Sequence, residues 1–247
     1  RNQIKNMAGN ESVVEGFITN IQQKLWLAVN EKYEAALSLR SQKLKADKKK
    51  ALLDLDKWYQ SELPEIIQTR SEKYITRDEL CKLMKWKLTR GKFRPRLTEL
   101  VQTNTDSEVE EASKKAFKKL PNLDKAINDL TVLKAVGPAT ASAVLAAGAP
   151  DHAAFMADES MMALPGLQSI SYNLKFYLTY MDQIKAIVRK LNEQGDGNFK
   201  WTPHKVEITL WTYQIGKTLD DSIFKGIGSV KRSNDEENAL RKKKAKR

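Results

Sequence analysis

Hydrophobic positions along this chain recur with the spacing of a helix and show no convincing strand alternation. Phe17, Ile21, Leu25, Ala28, Ala35 and Leu39 follow one another at steps of three, four and seven, which predicts one long amphipathic helix. Leu52, Leu55, Trp58 and Tyr59 mark a second, expected to end before Pro64, whose ring clashes with the preceding turn. Thr76 and Glu79 have capping-box spacing, with Leu80, Leu83, Met84 and Leu88 supplying the apolar face behind them. Val109, Ala112, Ala116 and Phe117 define another helix, and Leu123, Ile127 and Leu130 one more. Ser171 is placed to cap a helix through Leu174, Tyr177, Leu178, Met181, Ile184 and Ile187 that closes near Gly195. Thr202-Pro203 opens the last, carrying Val206, Leu210 and Tyr213. The fold class is all-α. The chain divides into an N-terminal helical region (1–73), a central helical domain (74–219) and a basic tail (220–247).

Charge adds a second layer. The formal net charge is +12 over 247 residues, and the excess is clustered. Six basic residues and one acid lie between Arg40 and Lys50, where a solvated helix face is the plainer reading. Lys82 to Arg96 contains seven basic residues and no acid, and its Arg-Gly-Lys-Phe-Arg-Pro-Arg core mixes guanidinium forks with turn residues, as phosphate contact favours. Arg90, Lys92, Arg94 and Arg96 are therefore candidate DNA-binding residues. In the tail, Lys231-Arg232 and a cluster from Arg241 to Arg247 flank an acidic spacer and resemble a bipartite nuclear localisation signal, which implies an import receptor as partner and a nuclear location. A basic tail adding non-specific nucleic-acid affinity is the alternative. One cysteine, Cys81, and two histidines, His152 and His204, are too few for a structural zinc site, so no metal or cofactor is expected. The longest weakly polar stretch, Ala141 to Pro150, is far short of the ~20 apolar residues that span a bilayer.

The densest chemical signal lies in Val136-Gly137-Pro138-Ala139-Thr140-Ala141. A short turn there joins two helices, with Gly137 expected to supply a positive φ and Pro138 to start a helix of small residues. Backbone N–H groups at such a helix start suit an anion such as a DNA phosphate. This stretch resembles the helix-hairpin-helix of the DNA glycosylase superfamily that includes endonuclease III and adenine glycosylase. In that family an aspartate in an apolar setting follows 17 or 18 residues after the motif threonine. Asp158, in Phe155-Met156-Ala157-Asp158-Glu159, lies 18 residues after Thr140.

The resemblance implies a helix-hairpin-helix glycosylase-like domain, double-stranded DNA as partner, and Asp158 as the carboxylate that opposes positive charge on the deoxyribose during N-glycosidic cleavage. It further implies phosphate contacts from Val136, Gly137, Pro138, Ala139 and Thr140. Bifunctional members place a Schiff-base lysine where this chain has Ala139, so a monofunctional glycosylase of base-excision repair, without lyase activity through that position, is the expectation. Departures are also clear: Ala135 replaces the first motif glycine, Lys134 the preceding proline, Glu159-Ser160 follow the aspartate, and there is no iron–sulfur cysteine set. For Asp158 the alternative role is a plain helix cap. Trp86, set among cations, and His152, in the loop before the aspartate, are candidates for a base pocket or for stacking, against a core tryptophan and a solvated histidine. Two other functions stay open: a non-catalytic nuclear DNA-binding adaptor or lesion sensor, and a helical protein-interaction module.

Overall fold

The computed structural model describes residues 16–195 and 197–227. The two basic clusters of the tail lie outside the described residues. Among the described residues there is no strand, and no helix is long and apolar enough to cross a membrane. The all-α expectation holds.

The first predicted helix is two. Helix α1 (Gln23–Asn30) and helix α2 (Tyr33–Gln42) are separated at Glu31 and Lys32. No glycine or proline marks the break; side-chain packing on either side does. Trp26 in α1 stacks on Phe17 at 4.5 Å and meets Trp201 edge-on, whereas Tyr33 at the start of α2 tilts against Trp211 and donates to Asp56. The second predicted helix, by contrast, runs past Pro64. Helix α3 (Ala46–Lys57) passes through a π-helical turn (Trp58–Glu62) into helix α4 (Leu63–Thr69). Pro64 has no N–H to give and its ring needs room from the carbonyl four residues back. Widening the turn just ahead of it provides that room without ending the helix.

Helix α5 (Arg77–Arg90) starts at Thr76 with both bonds of the capping box formed. Helix α6 (Pro95–Val101) follows a four-residue loop, and helix α7 (Asp106–Lys119) opens on a second capping box, Thr105 with Glu108. Helix α8 (Leu123–Leu130) and helix α9 (Pro138–Gly148) form the hairpin. Helix α10 (Asp158–Ala163) is short; helix α11 (Leu174–Glu193) is capped by Asn173 rather than Ser171, whose hydroxyl instead accepts from the Asn173 amide. Helix α12 (Pro203–Leu219) begins at Thr202-Pro203 as expected, with Thr202 accepting from the Lys205 N–H.

Helix α9 is the axis of the molecule. Every residue from Thr140 to Gly148 is buried, and α4, α5, α7, α8 and α11 all pack on it. Its small side chains permit that crowding: a Cβ on Gly148 would come within 2.4 Å of the Phe117 ring of α7. Around α9 one core runs from Phe17 to Ile227, and the N-terminal helices share it, α1 and α2 lying along α12.

Candidate nucleic-acid interface

The hairpin turn carries an unusual backbone. Ala135, where the resembled motif has its first glycine, sits at φ +64°, in the left-handed region. Gly137, expected to supply that conformation, has instead an ordinary extended backbone, φ −94° and ψ −178°. A Cβ at Gly137 would meet nothing within 4 Å, so its missing side chain leaves open space in front of the helix start. Asn104 holds the turn in place. Its buried amide accepts from the Lys134 N–H at 2.8 Å and donates to the Lys134 carbonyl at 3.1 Å, satisfying both backbone groups of the residue before Ala135.

Beside the turn lies a cavity of about 240 Å³. It is smaller than the ~300–1,000 Å³ sites of drug-sized ligands, the scale of one small planar group. Three parts of the chain meet there: Gly137 to Thr140 from the hairpin, Lys92 and Arg94 from the loop after α5, and Asp158 with Glu159 from the start of α10. The sequence separates these parts by tens of residues, and the fold gathers them on one face.

A tightly held strand of backbone delivers Asp158. Residues Ala153 to Ala157 are buried. Ser142 of α9 accepts from the Met156 N–H, while Tyr177 and Tyr180 of α11 donate to the carbonyls of Ala154 and Phe155. Asp158 is then the first residue of α10, and its side chain makes no capping bond; Ala157 holds the cap position. The carboxylate faces the cavity edge instead. It accepts from the Tyr172 hydroxyl at 2.8 and 2.9 Å and pairs with Lys92 Nζ at 2.9 Å. That hydrogen bond from Lys92 holds the ammonium above its ordinary value. Burial, reinforced by the bond to Asp158, pushes the Tyr172 hydroxyl up as well. Lys92 is 69% exposed while Asp158 is 17% exposed, so the lysine is the partner free to swing away.

Other sequence candidates divide sharply. Arg94 lines the cavity with its guanidinium 5.4 Å from the Tyr172 ring; Arg96 is exposed on α6 outside it. Arg90 is not a surface cation. It is 2% exposed, paired with the buried Glu207 at 3.3 Å, and lies 4.2 Å from the centre of the Trp211 ring. Burial lifts the Glu207 carboxyl to about 7 even beside Arg90. Trp86 is also interior: fully buried, stacked on Tyr59 and donating to Asp56, it has no face left for a base. His152 is exposed in the turn after α9 and does not line the cavity. Val136 is core, whereas Gly137, Pro138 and Ala139 are accessible.

Several residues at the site carried no sequence signal. Tyr172 and Asn104 act through distant partners. Arg40, read as part of a solvated basic run, donates from Nε to the Arg90 carbonyl and from Nη2 to the Gly91 carbonyl, and so clamps the root of the basic loop. Lys87 lies in the cavity wall, where burial and Arg94 lower its ammonium to about 8. Among the described residues no group of three or more His, Cys, Asp or Glu could hold a metal ion. Compared with protein-family models, curated proteins and solved structures, the chain matches none of them.

Proposed function

We propose that this chain binds duplex DNA on the hairpin face and excises a base from it as a monofunctional N-glycosylase, with Asp158 as the working carboxylate. The observation that carries this reading is the shared cavity. An acid freed from helix capping, a glycine-opened helix start and exposed cations line one concavity of single-base size. A base inside a duplex must be flipped out before its sugar bond can be reached, and a small concavity beside a phosphate-binding turn suits that. Cleavage breaks the C1′–N bond with its electron pair leaving on the base. The Asp158 carboxylate, kept ionised by the Tyr172 hydroxyl, opposes the positive charge left on the sugar ring. Lys92 moves to a DNA phosphate as the strand arrives, uncovering the acid.

One observation favours a second reading, a nuclear DNA-binding adaptor or lesion sensor without catalysis: both oxygens of Asp158 are engaged, by Tyr172 and Lys92. The two readings part on a panel of duplexes each carrying one damaged or mismatched base. An N-glycosylase leaves an abasic product with the native chain and none with Asp158→Asn, while both bind. Binding without any product leaves the adaptor; no binding even at low salt leaves a helical protein-interaction module. The tail clusters at Lys231-Arg232 and Arg241 to Arg247 are proposed to recruit an import receptor, and deleting them should move a tagged protein out of the nucleus.

A further inference from the structure

Two lysines face the cavity, and their situations are opposite. Lys92 is exposed and spent on Asp158. Lys87, on α5, contributes to the cavity wall, is only partly exposed, and forms no ion pair or hydrogen bond with its side chain among the described residues. The one carboxylate within its electrostatic reach, Asp158, is already neutralised by Lys92, and Arg94 lies on the repelling side. A lysine so placed is not there for structural pairing. Desolvation and a neighbouring cation are the two conditions that turn an ammonium into a nucleophilic amine.

We infer that Lys87 is an amine nucleophile that captures an aldehyde in this cavity, the ring-opened deoxyribose of an abasic site in DNA being the substrate. The neutral amine adds to the C1′ carbonyl, a C=N bond forms as the C=O bond breaks, and the oxygen leaves as water with both amine protons. Addition of water reverses the step and frees the lysine. The lowered basicity of Lys87 leaves an appreciable neutral fraction near pH 7 to 8, where an ordinary lysine has almost none. Placement on α5 makes this a chemistry of the cavity wall, independent of the hairpin position held by Ala139. The inference rests on the DNA-binding part of the proposed function but not on base excision.

Borohydride reduction of the imine gives the test. The full chain is incubated with a duplex carrying one preformed abasic site, reduced with sodium cyanoborohydride, and the crosslinked peptide is located by mass spectrometry. The expected result is a covalent protein–DNA adduct at Lys87, lost in Lys87→Arg, which keeps the charge, and in Lys87→Gln. Circular dichroism and a thermal melt establish that each variant is folded. If Lys87→Gln fails to fold, Lys87→Arg and the mapped site of the native adduct decide the matter. An adduct at Lys92 or at any lysine outside the cavity, an undiminished adduct in Lys87→Arg, or no adduct at all overturns the inference. Asp158→Asn separates the two readings. It should abolish release of a base from intact-base duplexes yet leave the abasic adduct at Lys87. Adduct without base release removes only the glycosylase; base release without adduct removes only the role of Lys87.

Discussion

Ala135 occupies a left-handed backbone that costs a non-glycine residue roughly 1–2 kcal/mol, and Asn104 is the side chain that enforces it from outside. Replacing Ala135 by glycine removes the Cβ conflict while adding chain entropy to the unfolded state, so a net gain of up to about 1 kcal/mol is expected. In a chain of this size that is a rise of roughly 2–4 °C in Tm, measurable by calorimetry. At the same scale the sequence is legible where a side chain acts on its own turn. Thr76 with Glu79 and Thr202 with Pro203 need no knowledge of the rest of the fold, and the structure keeps both. It is illegible where a side chain acts at a distance. Arg90 stands in a run of like charges, yet it falls seven residues after Leu83, on the stripe that α5 turns inward. Helical phase, rather than composition, separates it from Lys92 and Arg94.

Elements were read correctly where they are amphipathic and misread where tertiary contact sets their limits. The break between α1 and α2 and the passage of α3 into α4 across Pro64 both follow from partners elsewhere in the chain. Helix α9 shows the reverse case, a helix whose lack of a polar face announces full burial. Its neighbours' closeness makes a specific prediction. Gly148→Ala forces a Cβ to 2.4 Å from the Phe117 ring and should cost about 1–3 kcal/mol in urea unfolding. Phe117→Leu in the same chain should recover part of that loss, since it withdraws the ring atoms in conflict. A Gly148→Ala chain as stable as the native one would mean that α7 and α9 are farther apart than described.

For the whole molecule, charge and burial each give a measurable signature. If the cavity face binds DNA, Lys92, Arg94 and Arg96 carry the contact and Arg90 does not. Neutralising the first three should lower the slope of log affinity against log salt by about 1 per lost phosphate contact. An unchanged slope would place the DNA elsewhere. The pH dependence of folding turns on two buried groups of opposite sense. Burial and Arg90 lower His204 to about 4, so its contribution to stability grows as pH rises from about 4 to the ~6.5 of an unfolded histidine. Glu207, raised to about 7, works against this: the fold prefers it protonated, and stability falls as pH rises from the unfolded ~4.3 to 7. The two overlap and flatten the native profile. His204→Gln should uncover the Glu207 slope, giving a chain whose unfolding free energy declines between pH 5 and 7. A variant profile parallel to the native one would show that His204 is not held neutral. Of the site itself, the sequence disclosed the hairpin, the aspartate and the basic loop as separate marks. Their common cavity, and the roles of Tyr172, Asn104, Arg40 and Lys87, arise only when α5, α9, α10 and the turn before α11 meet.

The pair formed by Arg90 and Glu207 has a consequence for how this sequence has been able to change over time. With both side chains sealed among Trp86, Trp211 and Phe155, loss of either partner alone strands a charge in the interior and costs about 3–5 kcal/mol, whereas exchange of both for apolar residues can be nearly neutral. Drift at these two positions must therefore pass through a deep valley or proceed as a double step. Related chains should carry both charges or neither, making positions 90 and 207 a linked signature by which distant kin can be recognised when the surrounding surface no longer resembles this one.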